Sequence, residues 1–205
     1  MVFSMARPTK RSGTANAQFK KRVPSDVLAL ARGKEIIFSL PKAPTCDERI
    51  VVAATIGEQI AFSLRTADPR LVSIRHAAAL EQFERACCAY RDGPQRVPTR
   101  QRVELAGILY RDLASGFDQE PVSAKWWGIV AEVANRVLAP PPEPPLVIET
   151  YPGEAQLAEL ERYIGPFVDP ILSREGIIPT GDDRPKLLKA FAKALVDAAN
   201  KLMRN

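Results

Sequence analysis

The sequence predicts an α+β protein, mainly α: a small antiparallel N-terminal sheet, a helical bundle and a C-terminal helical hairpin. Three observations predict it. Before residue 68 apolar and polar residues alternate, the period of a half-buried strand. After it the apolar residues recur every three or four positions, the period of an amphipathic helix. The 18 prolines cluster between these periodic segments, where they act as stops. At 205 residues and 46% hydrophobic, the chain has material for one ordinary core or two small ones.

Residues 1–17 carry Pro8, Gly13 and small polar side chains without a period, and are expected to form a disordered basic arm. A sheet module follows over residues 18–67. In residues 18–23, Phe19 and Val23 share one face and Gln18, Lys20 and Arg22 the other, and Pro24 ends the strand. Ser25-Asp26 can cap a short helix through Val27, Leu28 and Leu30 that Gly33 closes. Further strands are predicted at residues 34–40, where Ile36, Phe38 and Leu40 align, at 49–55, and at 59–65, where Ile60, Phe62 and Leu64 align.

The helical module spans residues 68–138. Asp68-Pro69 is an N-cap with proline at the first helical position, and Val72, His76, Leu80, Phe83 and Cys87 then form one stripe, ended by Gly93-Pro94. A second helix starts at Thr99 and ends at Gly116; a third runs from Ser123 through Trp126 and Trp127 to Val137. Residues 139–150 open on Ala-Pro-Pro-Pro-Glu-Pro-Pro, a stiff polyproline-prone linker. The hairpin of residues 151–205 holds helices at 153–174 and 182–204. The apolar face of the second, built on Leu187, Leu188, Phe191 and Leu195, is expected to pack on the helix before it.

Charge is concentrated at the front. Residues 1–42 hold nine basic against two acidic side chains, a balance of +7, while the remaining 163 hold 20 against 22, a balance of −2. Such a basic end on a near-neutral body fits a polyanion partner. There is no apolar leader and no stretch approaching a membrane span. Cys46, Cys87 and Cys88 lack the spacing of a disulfide or metal framework, so a cytoplasmic protein with reduced thiols is expected.

No catalytic, cofactor or metal site can be assembled. The single histidine, His76, lies on an apolar stripe and is read as a core-edge residue, and no His/Cys cluster supplies zinc ligands. Phosphate-binding glycine loops and a Gly-x-Ser-x-Gly elbow do not occur. Glu154, Glu159, Glu161 and the pair Asp182-Asp183 fall at helix N-termini or on polar faces, where carboxylates meet the helix dipole or water. For Trp126-Trp127 one ring is expected in the core and the other toward a neighbouring element.

Arg22-Val23-Pro24, Gly33-Lys34 and Phe62-Ser63-Leu64-Arg65-Thr66-Ala67-Asp68-Pro69 occur in that order ahead of a long helix. They are followed by Leu105-Ala106-Gly107 with Tyr110-Arg111, and by Gly165-Pro166-Phe167 with Leu172, Arg174, Glu175 and Gly176. In this order the motifs resemble the N-terminal region of phage-type integrases, the tyrosine recombinases, over roughly residues 18–204. The resemblance implies that the sheet module and the helical module hold DNA. Strand exchange then belongs to a separate C-terminal domain with a His-x-x-Arg pair and a nucleophilic tyrosine. Here Ala79 stands three residues after His76, so this chain is expected to be the binding portion, ending before the catalytic domain, and not itself an enzyme. The segment between Leu40 and Gln59 is longer than the tight connection of many relatives, which leaves the strand order open.

Double-stranded DNA is therefore the expected partner, with self-association through the C-terminal helices as a further possibility, and neither a membrane nor a small-molecule substrate. The expected DNA contacts are Lys20 and Arg22, joined by Arg65 at the end of the last strand, Lys34, and Lys10 and Arg11 from the arm. The alternative is a helical protein-interaction or oligomerisation module that regulates a partner without touching DNA. Salt separates the two, because phosphate contacts weaken steeply with ionic strength and apolar docking does not.

Overall fold

The computed structural model describes residues 9–10, 15–42, 50–116, 123–139 and 152–204. The expected linker at 139–150 and the arm outside residues 9–10 and 15–17 fall almost wholly outside the described residues. Among the described residues the protein is mainly helical, with a small set of antiparallel strands toward the N-terminus, one short helix set between them and five helices after them. Its chain forms two compact units. One comprises Met1–Gln95 with Leu172–Ile178, the other Arg96–Ile171 with Pro179–Asn205.

In the first unit the strands divide between two sheets. β2 (Ala17–Arg22) pairs antiparallel with β5 (Gln59–Ser63) and, on its other edge, with β1 (Thr9–Lys10). β3 (Glu35–Leu40) and β4 (Ile50–Thr55) form the second sheet. Thr9 and Lys10, inside the stretch expected as a disordered arm, pair with Gln18 and Ala17. A two-residue strand shows no period, and β2's free edge supplies its ladder.

The alternation read in the sequence sets which face is buried. Phe19 is opposite Phe62 across β2 and β5, and both rings meet Phe38 from β3. α1 (Ser25–Ala31) buries Val27 and Ala31 against this cluster. α2 (Pro69–Asp92) lays Val72, Ala79, Phe83 and Cys87 over it. Asp68 caps α2 by accepting from the Arg70 amide at 2.9 Å. The cap expected from Ser25-Asp26 does not form: Pro24 occupies the cap position without a side-chain bond, and Asp26 instead reaches Arg91 on α2 at 2.6 Å. Gly33, at φ +81, turns the chain from α1 into β3, a conformation that costs glycine no steric penalty.

The outer edge of β3 is closed by side chains. Gln82 on α2 donates to the Ser39 carbonyl and accepts from its amide, at 2.9 and 2.8 Å, and Ser173 Oγ accepts from the Ile37 amide at 3.1 Å. A covered edge cannot template pairing with another chain. Residues 172–178 belong with this unit through Ser173 and through Arg85, which donates to the Arg174 carbonyl. Gly176 (φ +65) is required there, because a Cβ would stand 2.4 Å from Arg85 Cγ.

In the second unit α6 (Arg184–Leu202) packs along both α3 (Thr99–Gly116) and α4 (Ala124–Leu138). From the sequence α6 is expected to pack only on the preceding helix, α5 (Pro152–Glu175). Leu187, Leu188, Phe191, Ala192, Leu195, Ala198 and Ala199 are all buried. They span an arc of about 140° at 3.6 residues per turn, wide enough for two neighbours. Part of α5, up to Ile171, meets α6's first turn, where Arg184 bonds Glu161 at 2.9 and 2.7 Å and also pairs with Asp169. Trp127 is fully buried with Ala131 and Ala199, while Trp126 is 45% exposed, and the two rings meet edge to face at 4.7 Å.

Candidate nucleic-acid interface

β2 carries the strongest basic sequence in the sheets, and its pleat sorts the charges. Ala17, Phe19 and Val23 are buried, Lys21 on the same side is half-buried, and Lys20 and Arg22 are exposed on the other side. Across the ladder Lys20 is opposite Ala61 and Arg22 opposite Gln59, with Gln18 opposite Ser63. Positions directly opposite share a face, so the outer surface of β2 and β5 is two cations among small and neutral polar residues. Neither cation makes an ion pair among the described residues. Lys20 and Arg22 are two residues apart, about 6.8 Å along an antiparallel strand.

The remaining expected contacts distribute unevenly. Arg65 is exposed with φ 51 and follows β5 at the Ala17 end, where Leu64 donates to the Ala17 carbonyl at 2.9 Å. It is thus at the opposite end of the β2–β5 ladder from Arg22. Lys34 is exposed just before β3, in the other sheet, with Nζ 5.3 Å from the centre of the Tyr90 ring. Lys10 pairs in register with Ala17 on β1, and Arg11 lies outside the described residues. The fold places Lys20 and Arg22 side by side, and does not gather Arg65 and Lys34 onto that same pair of positions.

The left-handed turn at Arg65 is held from beneath by Arg75 of α2. This guanidinium, 2% exposed, donates from Nη1 to the Leu64 carbonyl at 2.9 Å and the Arg65 carbonyl at 3.1 Å, and from Nε to the Pro41 carbonyl at 3.0 Å. A planar fork with fixed donors suits three converging carbonyls. Its neighbour His76 is 8% exposed, 5.4 Å from the Phe19 ring, and its buried Nε2 has no partner among the described residues. Burial, and then the Lys21 charge on the inner side of β2, holds its pKa below the ordinary histidine value. It belongs to the core edge and faces no cluster of metal-binding groups among the described residues.

Of the five carboxylates read as lying at helix N-termini or on polar faces, Asp183 and Glu161 serve the fold. Asp183 Oδ2 accepts from the Val97 amide at 3.0 Å and the Thr180 hydroxyl at 3.1 Å, and Oδ1 from Lys186 Nζ at 3.1 Å. Glu161 is engaged by Arg184. None of the DNA contacts expected from the sequence lies on the outer face of α6, whose exposed positions are Lys186, Lys189, Lys193, Asp197 and Lys201. No helix among the described residues is long and apolar enough to cross a membrane. No protein-family model, no curated protein and no solved structure matches this chain.

Proposed function

We propose that this chain is a DNA-binding N-terminal portion of a site-specific recombinase of the phage-integrase type, acting in DNA integration and recombination. No catalytic step is assigned to its residues. The observation that carries the reading is the outer face of β2, where Lys20 and Arg22 stand exposed and unpaired beside neutral residues of β5. Cations held on a strand by a buried opposite face are aimed before the partner arrives, and the basic balance of residues 1–42 supplies the longer-range attraction. Phosphate contacts of this kind position a protein on the duplex without reading its sequence.

The test is a titration of labelled duplex DNA at several salt concentrations. Neutralisation of roughly three to five phosphates gives a slope of log affinity against log salt of about −3 to −5. The double variant Lys20→Ala/Arg22→Ala flattens it and weakens random and related duplexes alike. A wild-type slope near zero contradicts the reading. The interaction-module alternative has one observation behind it: Trp126 and Ile129, one turn apart on α4, are 45% and 52% exposed. α6's apolar face, by contrast, is covered within the chain by α3 and α4.

A further inference from the structure

α6 differs from every other described helix in what it shows to solvent. Its five exposed positions are Lys186, Lys189, Lys193, Asp197 and Lys201, four lysines to one carboxylate, and Arg204 is exposed just beyond its end. The exposed positions of α2 interleave Arg70, Glu81, Glu84, Arg91 and Asp92, and those of α3 and α4 likewise mix signs and apolar residues. At 3.6 residues per turn the six α6 positions fall within an arc of about 120° and extend about 27 Å along the axis. The opposite arc is fixed against α3 and α4 through Leu187, Leu188, Phe191, Leu195 and Ala199, so the stripe cannot rotate inward.

We infer that this face of α6 is a second contact for the phosphate backbone of duplex DNA, carried by the other unit of the chain from the one that carries β2. The inference rests on the reading of the chain as DNA-binding and adds to it a surface outside residues 1–42. Lys186 is engaged by Asp183 and Lys201 lies over the Tyr110 ring at 5.6 Å. Lys189 and Lys193, one turn apart, have no partner among the described residues and are the principal contacts. A lipid surface fits less well. An interfacial helix inserts an apolar face, and α6's is already buried in the protein, leaving no exposed apolar position on the helix.

The experiment measures the salt slope of duplex binding for the full chain, for Lys189→Gln/Lys193→Gln, for Lys20→Ala/Arg22→Ala, and for Arg100→Gln/Lys125→Gln. The last pair removes the same charge from exposed positions of the same unit. At about 0.9 per phosphate contact, the α6 variant is expected to flatten the slope by about 2, with the control within about 0.5 of wild type and all far-ultraviolet circular dichroism unchanged. If the α6 variant keeps the wild-type slope while the β2 variant loses it, the inference is overturned and the DNA reading stands. If the α6 variant loses it and the β2 variant does not, the inference stands and the β2 assignment falls. Equal loss in the control and α6 variants reduces the stripe to bulk charge and overturns it. A parallel titration with vesicles containing phosphatidylserine closes the remaining branch, since dependence on Lys189 and Lys193 there, without one on DNA, overturns it in favour of lipid.

Discussion

Phe19 and Phe62 sit directly opposite each other on β2 and β5, their rings stacked with centroids 5.0 Å apart. This pair is what turns Lys20 outward, because burying Phe19 commits its neighbour to the other side of the pleat. Phe19 is fully buried, so Phe19→Ala leaves a cavity among the Phe38, Phe62 and Phe83 rings. The expected cost is about 3–5 kcal/mol, read from urea unfolding followed by circular dichroism. A cost below about 1 kcal/mol would mean that the aromatic cluster does not orient β2.

Arg75 makes a second test of the same surface from below. Its three carbonyl partners lie at the ends of β3 and β5, and Arg75→Met removes every donor while keeping most of the volume. Stranding buried acceptors costs about 1–3 kcal/mol each, so a loss of about 3 kcal/mol is expected. Arg75→Lys restores only part of it, since a point ammonium cannot span the fork. Full recovery by lysine would show that charge alone, not donor geometry, holds the turn.

His76 makes the first unit sensitive to mild acid. Its folded pKa lies below the unfolded value, chiefly through burial, so the unfolded state takes up the proton first. The stability it permits is complete above about pH 6.5 and declines as pH falls below that value. His76→Leu is expected to flatten stability between pH 7 and 5, measured by urea midpoints across that range. An unchanged pH dependence in His76→Leu assigns the effect elsewhere.

Asp183 acts lower on the scale. The Val97 amide, with Lys186 and Thr180, lowers its pKa to about 2 from the usual 3.8. A depressed carboxylate adds stability above its unfolded pKa and loses it as pH falls from about 4 to about 2. Asp183→Asn should remove that acid slope from thermal melts recorded over the same window. A variant with the wild-type slope would contradict the assignment.

Local features were legible where one side chain decides them. The period of Phe19 and Val23 gave the buried face of β2, Asp68 gave the start of α2, and Gly33 the end of α1. Pairing was not legible, because alternation says which face is buried but not which strand lies beside it, and β2 joins β5 across 36 intervening positions. The burial of Arg75 had a signal, since it falls between Leu71 and Ala79 on the stripe that covers the sheets. The α6 lysines were hidden by bookkeeping over segments: summed with their neighbours, residues after 42 balance to −2, and only the helix separates Lys189 and Lys193 from the acids of α5.

Whether the outer face of β2 meets DNA is decided by comparing Lys20 with Lys21. They are adjacent and carry the same charge. Lys20 is exposed on the outer face, while Lys21 is half-buried on the side of His76. In duplex titrations at several salt concentrations, Lys20→Ala is expected to flatten the slope of log affinity against log salt by about 1 and Lys21→Ala to leave it unchanged. Equal effects from both substitutions, or none from either, would contradict the account.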